Sequence, residues 1–225
     1  MLSKILFLFS LSFIKTIYFN FHYLPFKQAI KLPIILRHVR FKSLKGKVII
    51  DSDHIYTNMI KFGFKSANYW RPNDYTTLDL RQGTMILKTN FILRECAHIR
   101  LENDAILKFG SNFDAATNLN IWCMKSIAFG DNVHIGWDVT IMDTNAHKIY
   151  DCNNNLYKNY ISPISIGDYT WIGMKSIVLK GTIIPNHTII SAGAIVKGIF
   201  NKEYTILSGN PAVKVAEGYT ITDDF

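Results

Sequence analysis

Ile166-Gly-Asp-Tyr-Thr-Trp-Ile172-Gly-Met-Lys-Ser-Ile-Val178-Leu-Lys-Gly-Thr-Ile-Ile184-Pro-Asn-His-Thr-Ile-Ile190-Ser-Ala-Gly-Ala-Ile-Val196 repeats one pattern every six residues. An aliphatic residue opens each hexad, and four positions later stands a small one: Thr170, Ser176, Thr182, Thr188 and Ala194. Period six is neither the 3.6 of a helix nor the two of a simple strand. It is the signature of a parallel β-helix, in which each hexad forms one flat face of a coil. The aliphatic side chain points inward, and the small residue lets the backbone turn the corner.

The same frame appears upstream in another phase. Phe129-Gly130-Asp131-Asn132-Val133-His134 and Ile135-Gly136-Trp137-Asp138-Val139-Thr140 run into Ile141-Met142-Asp143. Residues 144–165 break the period and carry Asp151, Asn153, Asn154, Asn155, Asn159 and Pro163, so they read as a loop extruded from one corner. Loops on a rigid scaffold are where chemistry concentrates. Met85-Ile86-Leu87, Phe91-Ile92-Leu93, His98-Ile99-Arg100-Leu101 and Ala105-Ile106-Leu107 read as looser coils, making residues 46–128 an irregular continuation. The expected organisation is a helical arm over 1–45, a β-helix over 46–215 with its loop at 144–165, and a tail over 216–225.

With 225 residues, 48% of them apolar, the chain can bury a sizeable core. Cys96, Cys123 and Cys152 are an odd set without Cys-x-x-Cys spacing, which favours free thiols in a reducing compartment. The formal charge of +8 sits in residues 1–45, which hold Lys4, Lys15, Lys27, Lys31, Arg37, Arg40, Lys42 and Lys45 and no acid. The remainder balances, so no nucleic-acid partner is expected. A basic, apolar arm suits an anionic membrane surface. Its apolar run from Ile5 to Ile14 rises only about 15 Å as a helix, too short to span a bilayer. No small-x-small cleavage site follows it. An amphipathic helix closing the open end of the β-helix is the other reading, and the two are compatible. The expected location is cytoplasmic, with peripheral contact at the inner face of the cytoplasmic membrane through residues 1–45.

His147 lies in the loop between the two blocks of hexads. His134 and His187 take outward hexad positions, and His22, His38, His54 and His98 have no partner motif. No His-x-x-x-x-His pair occurs, and no metal is expected. The hexads, the His147 loop and the closing Ser208-Gly209-Asn210-Pro211-Ala212 resemble the left-handed β-helix acyltransferases. Within that superfamily the chain is most similar to the maltose/galactoside-type O-acetyltransferases, in the branch that modifies bacterial surface polysaccharides. The repeat resemblance covers residues 129–215, and Leu24-Pro25-Phe26-Lys27 and Leu44-Lys45-Gly46-Lys47 also look like that branch.

The resemblance implies an all-β, left-handed parallel β-helix with an N-terminal α-helical arm, assembled as a C3 homotrimer. It implies acetyl-CoA as acyl donor and a sugar hydroxyl of a surface polysaccharide or its precursor as acceptor. In Ile141-Met142-Asp143-Thr144-Asn145-Ala146-His147 the histidine matches the family's general base. Asp143 or Asn145 would orient the imidazole or contact the sugar. The pantetheine groove maps to Met174, Ala192, Lys197 and Gly198, with Trp171 as a wall. Two positions depart from the family. Val213 replaces the usual Lys or Arg after Gly-Asn-Pro-Ala, leaving Lys214 as the phosphate contact. Ala116 stands where an Asn is common, with Asn118 and Asn120 nearby, of which Asn120 is the acceptor candidate. The rival readings are N-acetylation of an amino sugar on a nucleotide, and a non-catalytic scaffold. The chain has no glycine-rich nucleotide-binding turn, and none of the long helical domain of serine acetyltransferases.

Overall fold

The computed structural model describes residues 12–65 and 75–222. Both rows of the hexad point inward. Ile172, Val178, Ile184, Ile190 and Val196 are buried, and so are Thr170, Ser176, Thr182, Thr188 and Ala194. The residue before each small one, Tyr169, Lys175, Gly181, His187 and Gly193, has φ between 53° and 75°. A corner is thus a left-handed residue followed by an inward small one. The threonine hydroxyls close the turn: Thr170, Thr182 and Thr188 donate to the carbonyls of Gly167, Leu179 and Pro185 at 2.8, 2.6 and 2.9 Å.

Stacked along the axis, these faces make three sheets. The first comprises β1 (Ile34–Leu36), β4 (Ile60–Phe64), β7 (Phe91–Arg94), β10 (Asp114–Ala115), β13 (His134–Ile135), β18 (Trp171–Ile172), β21 (Thr188–Ile190), β23 (Thr205–Gly209) and β24 (Ala212–Glu217). The second comprises β2 (Val39–Ser43), β5 (Thr76–Asp79), β8 (His98–Leu101), β11 (Asn120–Cys123), β14 (Thr140–Met142), β19 (Ile177–Leu179) and β22 (Ile195–Val196). The third comprises β3 (Lys47–Ile50), β6 (Thr84–Leu87), β9 (Ile106–Phe109), β12 (Ser126–Phe129), β17 (Ile164–Ile166) and β20 (Ile183–Ile184). The chain visits the first, second and third sheets in turn and pairs in parallel with the coil below. This is a left-handed parallel β-helix. β15 (Ile149–Asp151) and β16 (Leu156–Lys158) form a separate antiparallel hairpin outside the prism.

The coils change size along the axis. Trp171 pairs with Ile189, 18 residues on, which is three hexads. Lower down Asp114 pairs with His134 after 20 residues, and Ile92 with Asp114 after 22. The wider coils need larger side chains to fill them. Phe91, Phe109, Phe113 and Phe129 do so, with ring centroids 4.7–5.3 Å apart. Asparagines at left-handed corners pin the wide coils in register: Asn90 donates to Asn112 at 2.8 Å, and Asn112 to Asn132 at 2.9 Å. Residues 75–128, expected to be irregular, are therefore full coils.

The helical arm is shorter than expected. α1 (Phe13–Tyr23) and α2 (Phe26–Ala29) end before residue 30, and residues 34–43, assigned from sequence to the arm, form β1 and β2 of the first coil. Pro33 stops the helical path and the apolar Ile34-Ile35-Leu36 enters the sheet. α1 closes the open end. Its buried Asn20 accepts from the Ile34 amide at 3.1 Å and donates to the Ile34 carbonyl at 2.7 Å, and Thr16 accepts from the Leu36 amide at 3.0 Å. Two polar side chains thereby satisfy an edge strand that would otherwise offer bare hydrogen-bonding groups. The apolar run from Ile5 lies outside the described residues up to position 11. At the other end Ala216 and Glu217, expected in an irregular tail, finish β24, which turns back antiparallel on β23 and covers the last coil.

Candidate active site

The loop leaves the prism after β14, at the corner between the second and third sheets. Its neck is a short antiparallel ladder: Ser162 donates to the Asp143 carbonyl at 2.9 Å, Thr144 bridges Ile161, and Asn145 donates to Tyr160 at 2.8 Å. Ala146 then takes φ 62°, and its amide donates to the Thr144 hydroxyl at 2.9 Å. This turn presents His147 between neck and hairpin. The imidazole is exposed and has no hydrogen-bond partner among the described residues. Lys180 ties the loop down by donating to the Asn159 carbonyl at 2.7 Å.

Asp143 does not join His147. Its carboxylate is fully buried and accepts from the amides of Met124, Lys125 and Ser126 at 2.7, 2.7 and 2.9 Å. In the neighbouring coil the Glu102 and Ile106 amides donate upward to carbonyls of the next coil, at Cys123 and Lys125. Above Met124–Ser126 that next coil has departed into the loop, and the Asp143 carboxylate supplies the missing acceptors. The sequence reading of Asp143 as an imidazole-orienting or sugar-binding residue is corrected on this ground. Asn145 is exposed beside His147 and remains available.

The other candidates divide between two corners. Trp171, Met174 and Ala192 are exposed at the corner joining the first and second sheets. Lys197 and Gly198 lie at the second–third corner, the edge from which the His147 loop springs. Lys197 is exposed and has no ion-pair partner among the described residues. Lys214 is paired with Glu217, which also pairs with Lys202. Small residues at the first corner are explained by stacking. A Cβ on Gly136 would stand 2.6 Å from the Met174 amide nitrogen, and one on Gly173 2.6 Å from that of Ala192. Trp171 and Met174 present an apolar surface at the first of these corners, and Lys197 a cation without an ion-pair partner among the described residues at the second. Among the described residues, no group of three or more His, Cys, Asp or Glu could hold a metal.

Asn120 projects from the outer face of β11, paired in register with His98 and Thr140. Asn118 is committed to its corner, donating to Asp138 at 2.8 Å. His187 is stacked between Tyr169 and Tyr204, with centroids 4.9 and 4.4 Å away, and bonds Thr220. On the outer face of the second sheet Lys42, His98, Arg100, Asn120, Trp122 and Thr140 line a cavity of about 310 Å³, of which sequence reasoning picked out Asn120 alone as a binding residue. Alternation within each strand and the coil length of 20–22 residues would have aligned them.

Cys96 and Cys123 are buried, while Cys152 is exposed on the hairpin. Burial and the adjacent Asp143 carboxylate push the Cys123 thiol well above its ordinary range, so it is no nucleophile. A chromogenic disulfide reagent is expected to titrate Cys152 rapidly in the native protein and all three thiols only after unfolding. Fast labelling of Cys123 would contradict this packing.

No protein-family model matches the chain. It is 28% identical to WbbJ of Escherichia coli K12, named as an O-acetyl transferase of lipopolysaccharide biosynthesis, over 60% of this chain and 85% of that protein. It is 37% identical to the galactoside O-acetyltransferase of the same organism over 40% of this chain, spanning less than half, 44%, of that enzyme. Among solved structures, the polysialic acid O-acetyltransferase OatWY aligns with a TM-score of 0.49 at 16% identity, over 83% of this chain and 71% of that one.

Proposed function

We propose that the chain is an acyltransferase of the hexapeptide-repeat kind, a reading that its similarity to named O-acetyltransferases supports, and that it moves an acetyl group from acetyl-CoA to a sugar hydroxyl of a bacterial surface polysaccharide or its precursor. The observation that carries this reading is the division of the site between two corners of one prism. His147 and Lys197 stand at the second–third corner, and Trp171, Met174 and Ala192 at the first–second. They meet when the first sheet of one copy packs against the third sheet of the next. The outer surfaces support that packing. The third sheet and its continuation expose Ile49, Ile106, Ile183 and Ile199, whereas the second sheet carries ionic groups that belong in water. The contact is head-to-tail, and three copies close it into a ring.

In this crevice the Trp171–Met174 corner of one protomer holds the apolar arm of the donor, and Lys197 of the other lies free for phosphate. The thioester supplies an activated acyl carbon. His147 takes the proton from the attacking sugar hydroxyl as its oxygen bonds that carbon, then returns it to the departing thiolate. Backbone amides at the coil corner face the oxygen on which negative charge develops.

Calorimetric titration with acetyl-CoA, beside light scattering, tests the reading. Saturable binding at one site per protomer in a trimer is the expected result. A folded protein that binds neither acetyl-CoA nor free CoA would leave a scaffold.

The arm gives a place to this activity. No helix of the described residues is long and apolar enough to cross a membrane. α1 buries Thr16, Phe19 and Asn20 but exposes Phe13, Ile14, Tyr18 and Phe21 beside Lys15. This face is proposed to rest on anionic lipid, where lipid-linked glycan precursors would be met. Deleting the helix would uncover β1, so the suitable variant is F13S/I14S/F21S. It is expected to lose co-sedimentation with vesicles rich in phosphatidylglycerol at low salt, and unchanged sedimentation would remove membrane contact from the proposal.

A further inference from the structure

The outer face of the second sheet carries more than a solvated surface requires. The cavity beneath the loop neck, bounded above by Thr140 and Met142, runs down past Asn120, Trp122, His98 and Arg100 to Lys42. There it shares Lys42 and Asp79 with a second hollow of about 380 Å³ that includes Lys45 and Arg81. Five strands, β2, β5, β8, β11 and β14, form its floor, a length of about 19 Å at ordinary strand spacing. This is enough for several linked sugars.

Its charge is unbalanced. Arg81 is held by Asp79 at 3.5 Å and Glu102 at 2.5 Å, and Arg100 by Glu102 at 2.7 Å. Lys42 and Lys45 have no ion-pair partner among the described residues, and Arg40 lies 4.2 Å over the Tyr75 ring without a carboxylate. Of these, Lys42, Lys45, Arg81 and Arg100 line the two hollows, four cations against the acids Asp79 and Glu102. Set in this surface is an indole: Trp122 donates to Glu102 at 3.1 Å and stacks under Arg100 at 4.5 Å, so its plane is fixed. A fixed aromatic ring among amide and hydroxyl groups suits the apolar face and polar edge of a sugar.

Water solvates an outward sheet face whatever its shape. It does not explain a concave channel, an excess of unpaired cations and a clamped tryptophan ending at the neck of the His147 loop. We propose that this channel is an extended subsite for an acidic glycan, a chain of sugars bearing carboxylates, which delivers one of its hydroxyls to the loop. The inference rests on the acyl-transfer reading above and names its acceptor class. In the proposed ring the second sheet faces outward, so a polymer can lie along it while the donor crevice is filled.

The test is calorimetry with oligogalacturonate and oligosialic acid of two to eight units, against neutral maltooligosaccharides of equal length. Acidic oligomers are expected to bind, more tightly with length and more weakly with added salt. The variant K42E/K45E is expected to weaken that binding by about tenfold or more, and W122F by a smaller factor. Acetyl-CoA titration of the same samples reports that the fold is intact. Equal binding of neutral and acidic oligomers, indifference to charge reversal, or no binding of any oligomer while acetyl-CoA binds would overturn the channel alone. Loss of acetyl-CoA binding in the unmodified protein would instead overturn the acyl-transfer reading.

Discussion

His147→Ala is expected to lower the transfer rate by about 10²–10⁴-fold while acetyl-CoA binding stays unchanged. The side chain is exposed and bonds no described group, so its removal changes stability by no more than about 0.5 kcal/mol. The loss must then lie in kcat. Asn145→Ala, beside it on the same turn, is expected to raise KM for the acceptor and leave most of kcat. Single-turnover transfer to a verified acceptor measures both. A His147→Ala enzyme that kept most of its rate would remove the base from the mechanism, whatever the fold.

The parts of this molecule that were legible in sequence are those where geometry repeats without insertion. From Ile166 to Val196 every coil has three hexads, so the row of aliphatic residues stays in phase and the prism can be read directly. Below residue 143 each coil carries extra residues at the second–third corner, and the six-residue frame slips at every turn. The surviving signal is the recurrence of Asn90, Asn112 and Asn132 at left-handed corners, with phenylalanine replacing isoleucine inside. At the start, charge obscured topology. The run of basic residues drew Ile34–Ser43 into the arm, although Pro33 and a following apolar triplet mark a strand. His147 stood out as the loop histidine. Its division from Trp171 and Met174 did not, because corners are fixed by coil stacking and not by distance along the chain.

Asp143 shows how one residue type in one motif can be read two ways. Val139, Ile141 and Asp143 alternate along a strand, and alternation places all three on the inner side. The carboxylate is therefore part of the wall, and its chemistry is to receive three amides that the departing loop leaves without a coil above them. Asp143→Ala is expected to cost about 3 kcal/mol, because charge-assisted bonds are lost and the donors keep only what water can reach. Asp143→Asn is expected to cost about 2 kcal/mol, since one oxygen still accepts while the new amide confronts another donor. Urea unfolding followed by tryptophan fluorescence measures both as a fall in midpoint. The activity lost should track the fraction unfolded, with KM for the acceptor unchanged in the folded remainder. A variant of full stability and raised KM would return Asp143 to the substrate site. A stability loss with unaltered KM assigns it to the joint where a wide coil ends and the loop that carries His147 begins.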